Sequence, residues 1–202
     1  MNRRAFLVAL SAVSAALTLR PEHLDAQDVE FIRAWERAQR DRPSVLTSRA
    51  RLAPAGEPGT PMVIRGRLFQ PDGRMPARGI CVFAYHTDRT GLYAERSKGP
   101  HVWRLRGWVE TDADGGFQFD TIRPAPYPGR AIPAHVHMSI DGPGVPRRFT
   151  ADVLFADDDL VGAGEREASA RQGMFGAVRT VEVRDGVQTV AVNLRIEERG
   201  LF

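Results

Sequence analysis

The chain has 202 residues, of which 43% are hydrophobic and 26% charged, with 19 Gly and 14 Pro. That composition fits one soluble globular domain with its own core, and the Gly and Pro content favours a turn-rich β fold over a helical bundle. The formal net charge is only +3 and no long basic run occurs, so charge makes no case for a nucleic-acid partner.

Residues 1–26 read as an export leader. Arg3 and Arg4 precede an uncharged apolar stretch, Phe6 to Leu19, too short to cross a bilayer comfortably, and small residues follow near Asp25-Ala26. The Arg-Arg-Ala-Phe-Leu run is of the twin-arginine type, which predicts a periplasmic, exported protein. An ordinary secretory signal or a retained anchor is the alternative. Removing this segment leaves 25 basic against 23 acidic residues, a net +2. Only Lys98 among the 28 basic residues is lysine, which reflects genome composition and not phosphate recognition.

A helix is expected over 28–40, where Val29, Ile32, Trp35 and Ala38 recur at spacings of three. With the Pro- and Gly-rich residues 41–61 it forms an N-terminal helix and linker arm, residues 27–61. From residue 62 to 202 the pattern is short β runs separated by turn residues. Strands are expected at 62–69, 79–86, 103–111, 117–122, 134–140 and 148–155, then a hairpin of 177–183 and 187–196 around Arg184-Asp185-Gly186. This spacing predicts a mainly β protein, an antiparallel β-sandwich. Asp112–Gly116 is read as a hairpin turn, since the third acidic position and distal Glu of a calcium loop are out of register. Cys81, the single cysteine, excludes an internal disulfide and sits in an apolar run, so it is expected in the core.

The chemistry concentrates in four residues. His135 and His137 are two apart on an expected strand, so they project from one face about 7 Å apart along it, with Val136 turned to the core. Tyr127 lies eight residues before His135 in a loop stiffened by Pro124, Pro126 and Pro128. Tyr93 ends a Gly-containing loop thirty-four residues before Tyr127. Phenolate suits a hard trivalent ion and imidazole suits iron, copper, nickel or zinc. Together they point to ferric iron and to oxygen chemistry on a phenolic substrate. No His follows residue 137, which argues against a cupin site. A ferrous site of two His and one carboxylate, using Asp141 or a distant acid, stays open at this level.

The stretch from Val82 to Ile140 resembles the intradiol ring-cleavage dioxygenases, the family of protocatechuate 3,4-dioxygenase and catechol 1,2-dioxygenase. The matching pieces are Tyr85-His86-Thr87-Asp88 into Gly91-Leu92-Tyr93, Arg106-Gly107, Thr111-Asp112, Gly116-Phe117-Gln118-Phe119, Thr121-Ile122-Arg123-Pro124, Tyr127-Pro128 and Pro133-Ala134-His135-Val136-His137. The resemblance implies a β-sandwich with nonhaem Fe(III) held by Tyr93, Tyr127, His135 and His137. It implies a catechol or polyhydroxylated aromatic substrate, O2 as co-substrate and a muconate-type diacid as product. Tyr127 would be the ligand that leaves when substrate binds. Family members are commonly oligomeric, so a homo-oligomer is expected.

Two departures stand out. The Arg that the family carries three residues before the first ligand His is Ile132 here, with Arg130 two residues earlier as its candidate replacement. The helical, lipid-binding dimerisation segment of the catechol 1,2-dioxygenase type is missing. His86 is read as a hydrogen-bonded structural residue, Tyr85 as core, Trp103 and Trp108 as core or pocket wall, and Arg147-Arg148 as a solvated loop. The rival readings are an envelope binding module that kept the fold without turnover, and another oxygenase or metal hydrolase using the same cluster.

Overall fold

The computed structural model describes residues 29–93 and 103–197, so the leader and His101 lie outside the described residues. In chain order the elements are α1 (Val29–Gln39), β1 (Arg49–Arg51), β2 (Pro61–Phe69), β3 (Cys81–His86), β4 (Leu105–Glu110), β5 (Gly116–Ile122), β6 (His135–Gly142), β7 (Val145–Phe149), β8 (Val153–Phe155), α2 (Ala163–Arg171), β9 (Val178–Arg179), β10 (Val181–Arg184) and β11 (Val187–Arg195).

The strands form two sheets. The first runs β1-β5-β2-β11-β10; the second runs β4-β3-β6-β8-β9, with β7 also on β6. The mainly β sandwich is as expected. Most pairs are antiparallel, but β1 lies parallel to β5, β11 to β2 and β8 to β9. The long β2–β11 pair joins residues more than a hundred positions apart, and no local turn signal announces such a pairing.

Alternation builds the core between the sheets. Met62, Ile64 and Leu68 of β2, Phe117 and Phe119 of β5, and Val190, Val192 and Leu194 of β11 point inward from the first sheet. Val82 and Ala84 of β3 and Val136, Met138 and Ile140 of β6 meet them from the second. The other face of the second sheet is also covered. There α1 lays Ala34, Trp35 and Ala38 on Phe83, Tyr85 and Trp103, with Trp35 edge-on to Phe83 at 6.1 Å. All six residues of β3 are therefore buried, Cys81 included. Burial pushes the Cys81 thiol up to about 12, so it is an inert core residue.

Residues 41–61, expected as a linker arm, lie along this body. Carbonyls of Thr47 and Ser48 accept from the amides of Glu110 and Gln118, and Arg42 pairs with Asp141 at 2.7 Å. The expected strand at 148–155 is two strands, β7 and β8, with irregular residues between them. Arg147 and Arg148 are consequently not in a solvated loop: they belong to β7, Arg148 is buried and Arg147 stacks on the Trp35 ring at 3.7 Å. Helix α2 had no sequence expectation, because no residue in it is buried and it has no apolar stripe to read. The Asp112 turn is a hairpin turn, with Asp112 Oδ1 accepting the amides of Asp114 and Gly116.

Candidate metal centre

The pleat of β6 sends Val136 and Met138 into the core and leaves His135 and His137 on the opposite face, as the two-residue period requires. Their Nε2 atoms are 3.0 Å apart. Each ring is fixed from behind. His135 Nδ1 is 2.6 Å from the Pro133 carbonyl oxygen, and His137 Nδ1 is 2.7 Å from Asp152 Oδ1. Both partners are acceptors, which assigns the proton to Nδ1 and a lone pair to Nε2 in each neutral ring.

Two loops bring the phenols to the same place. After β3, Asp88 Oδ1 accepts from the Thr90 amide and hydroxyl and the Leu92 amide, a knot that delivers Tyr93. The Asp88 carbonyl also accepts the Ala125 amide, and Thr87 Oγ1 donates to the Ala125 carbonyl, so the second loop is tied to the first two residues before Tyr127. Gly91 sits at φ +79, and a Cβ there would come within 2.0 Å of the Pro126 carbonyl oxygen. Only glycine allows the two tyrosine loops to approach this closely.

Tyr93 Oη is 2.5 Å from Tyr127 Oη and 2.9 Å from His137 Nε2. Tyr127 Oη is 3.1 Å from His135 Nε2 and 3.4 Å from His137 Nε2. Four donor atoms thus stand at corners about 3 Å apart, which leaves a centre roughly 2 Å from each, an ordinary metal-to-ligand length. The electrostatics suit a cation at that centre. Two imidazole lone pairs face each other at 3.0 Å, and a shared proton is disfavoured because burial, and then His137, lower the pKa of His135. Burial, and next Tyr127, raise the Tyr93 phenol well above its usual value, so its ionisation needs a strong local positive charge.

Comparison with known proteins agrees in family. Residues 41–198 match the family described as Dioxygenase (Dioxygenase_C). Catechol 1,2-dioxygenase 2 of Acinetobacter lwoffii is 30% identical over 161 residues, covering 72% of this chain and 58% of the relative. The chain belongs to the intradiol ring-cleavage dioxygenase family. The 6-chlorohydroxyquinol 1,2-dioxygenase of Cupriavidus pinatubonensis is 32% identical over 126 residues, 52% of this chain and 45% of that protein. The chain therefore spans about half the length of these relatives. In fold, it matches the dioxygenase domain of a dioxygenase–carbohydrate-binding protein fusion from Streptomyces sp. SirexAA-E, with a TM-score of 0.56 and 22% identity over 77% of this chain and 91% of that one.

Other residues of this intradiol family member sort clearly. Asp152, which sequence reading missed, joins His135 and His137 in a potential ligand cluster, but its bond goes to His137 Nδ1, on the far side of the ring from the four converging donors. It is a partner of a candidate ligand. Its pKa is lowered although burial alone would raise it, because His137 faces it. Asp141, the other candidate carboxylate, is engaged by Arg42. Tyr85 is core, paired across the strands with His137 and stacked on its ring at 4.7 Å and on Trp103 at 4.2 Å. Trp103 is buried in that aromatic cluster and Trp108 is partly buried beside it. His86 is structural, its Nδ1 2.6 Å from the Thr87 carbonyl oxygen and its Nε2 2.7 Å from Thr121 Oγ1. Arg130 is exposed, with its guanidinium carbon 5.7 Å from the Tyr127 ring centre.

Proposed function

We propose that this chain binds nonhaem ferric iron through Tyr93, Tyr127, His135 and His137. With it, the chain cleaves a catechol-type ring between the two hydroxyl-bearing carbons, placing both atoms of O2 in a muconate-type diacid. One observation carries the reading: two phenol oxygens and two imidazole nitrogens from separate segments converge to 2.5–3.4 Å, with the nitrogen lone pairs turned toward each other. The printed names of the relatives supply the substrate class.

Held there, ferric iron would supply Lewis acidity that lowers the pKa of a catechol's hydroxyls, favouring the ionised, electron-rich form that reacts with O2. The protein does the rest by position. His135 and His137 stay in place, locked by the Pro133 carbonyl and Asp152. Tyr93 stays because Asp88 knots its loop. Tyr127 gives up its place to the substrate and accepts at Oη a proton from a substrate hydroxyl. Arg130, beside the Tyr127 ring, meets the negative charge of the reacting ring in place of the arginine absent at Ile132. The rival binding-module reading has nothing in its favour, since no donor of the set is lost.

Iron reconstitution tests the ligands and oxygen uptake tests the reaction. One ferric ion per chain and a red to burgundy colour, from tyrosinate-to-iron charge transfer, are expected, and Tyr93→Phe should lose both. Colour that persists in Tyr93→Phe and in His135→Ala overturns the ligand set. Oxygen uptake with catechols and hydroxyquinols should yield only products cut between the hydroxyls; cutting beside them overturns the reaction.

We also propose export, on the strength of Arg3-Arg4 and the uncharged stretch behind them. A mature N-terminus near Ala26 in the periplasmic fraction is the expected result, and full-length protein in the cytoplasm overturns it.

A further inference from the structure

One cavity is lined by none of the four donor residues. It opens between α2 and the ends of β7, β8 and β11, with a volume of about 840 Å³. That is within the size range of small-molecule pockets. Ile140, Leu154, Phe175, Leu194 and Ile196 form the apolar part of its wall, and Thr150, Ser169, Gln172 and Asn193 are among its polar residues. Arg148 also lines it and is only 8% exposed. This arginine has no carboxylate within ion-pair distance among the described residues. Among the described residues its side chain donates from Nε to the Pro146 carbonyl at 3.2 Å, and its buried Nη1 has no partner.

A buried guanidinium without a counter-charge is costly, and buried charges are ordinarily paired. The other charges at the cavity do not supply the pair. Glu197 is 3.3 Å from Arg195, and Glu165 sits on α2 with a carboxylate oxygen against Gly162. A cavity with an apolar wall section and one unpaired buried cation suits a ligand with an apolar body and one anionic end.

We propose that this cavity is a binding site for an amphipathic monocarboxylate, whose carboxylate pairs with Arg148 while its apolar part fills the space under α2. Nε of Arg148 is held by the Pro146 carbonyl and Nη1 is sealed in, so Nη2 is the donor left to meet the carboxylate; that charge-assisted bond gives selectivity and the apolar part of the wall gives affinity. The inference uses none of the four donors and stands whether or not iron binds there.

Calorimetric titration of the full chain with octanoate and with octanamide tests it. Octanoate should bind, and octanamide at least about tenfold more weakly, since the charge-assisted pair is lost. Arg148→Met should remove that preference. Ala168→Trp, an exposed position on α2 that lines the cavity, should block both ligands without touching the core, and covers the case in which Arg148→Met fails to fold. His135→Ala should leave octanoate binding unchanged. The proposal is overturned if octanoate does not bind, if the amide binds equally, or if His135→Ala abolishes binding. It is equally overturned if octanoate binds only after residues 198–202 are removed, because those residues are then the occupant.

Discussion

The second sheet has two faces made from the same strands, and they do opposite work. Its inner face is Val82, Ala84, Val136, Met138 and Ile140, packed against the first sheet. Its outer face is Phe83, Tyr85, His135 and His137, where aromatic packing under α1 runs directly into the donor cluster. Neighbours in sequence are therefore separated by the thickness of the sheet and by chemistry. The inner face supplies stability through burial. The outer face also carries lone pairs that face one another, an arrangement that earns no stability without a cation between them.

Substitution of β6 residues on opposite sides of the sheet splits the faces. Met138→Ala should destabilise by about 2–5 kcal/mol, the usual cost of truncating a buried Met, and should keep iron and colour. His135→Ala should lose iron and colour entirely while leaving the metal-free protein nearly as stable as before. Urea unfolding with metal analysis reads both. If Met138→Ala loses iron as completely as His135→Ala, the two faces are not independent.

His86 sharpens the contrast, because it is a fully buried polar group at the end of β3, on the inner-face register of Val82 and Ala84. Burial pushes its pKa down to about 4, against a backbone hydrogen bond to Thr87 that raises it. The unfolded chain binds a proton near the ordinary pKa of about 6.5, so between these values the unfolded state holds more protons. Stability must then be present above pH 6.5 and lost as pH falls toward 4, by roughly 3 kcal/mol from this residue. His86→Gln should be less stable at pH 7 and should lack that part of the acid slope. An identical slope in both proteins would show that His86 is not held neutral.

The outcome for the sequence follows from period and distance. Alternation in 134–140 assigned both faces of β6 correctly, and the turn residues placed most strands within a few positions. The four side chains that converge stood out in the sequence because each sits in a distinctive local setting. Parallel pairing of β11 with β2 was not legible, since register between distant strands leaves no local trace. Helix α2 lacks an apolar stripe, and β1 is three residues in a Pro- and Gly-rich stretch. Asp152 lies in the break between β7 and β8, inside what read as one strand. The only signal for it was general: a metal-binding imidazole needs an acceptor at its other nitrogen.

Asp152 marks the one difference between the two histidines, and it gives the smallest predicted effect. His135 donates to a neutral carbonyl and His137 to a carboxylate. The charged partner makes His137 the stronger donor to a cation. Asp152→Asn keeps an oxygen acceptor for Nδ1–H but removes the charge, while Asp152→Ala removes both. Loss of such a partner typically costs 10- to 100-fold in metal affinity. Asp152→Ala should therefore weaken iron binding by about that range, with Asp152→Asn between it and the parent, and the charge-transfer band should shift in the same order. Because Asp152 is partly exposed, folding should be little affected in either variant. If both variants bind iron as the parent does, the carboxylate is not tuning His137, and the two histidines are equivalent donors despite their different partners.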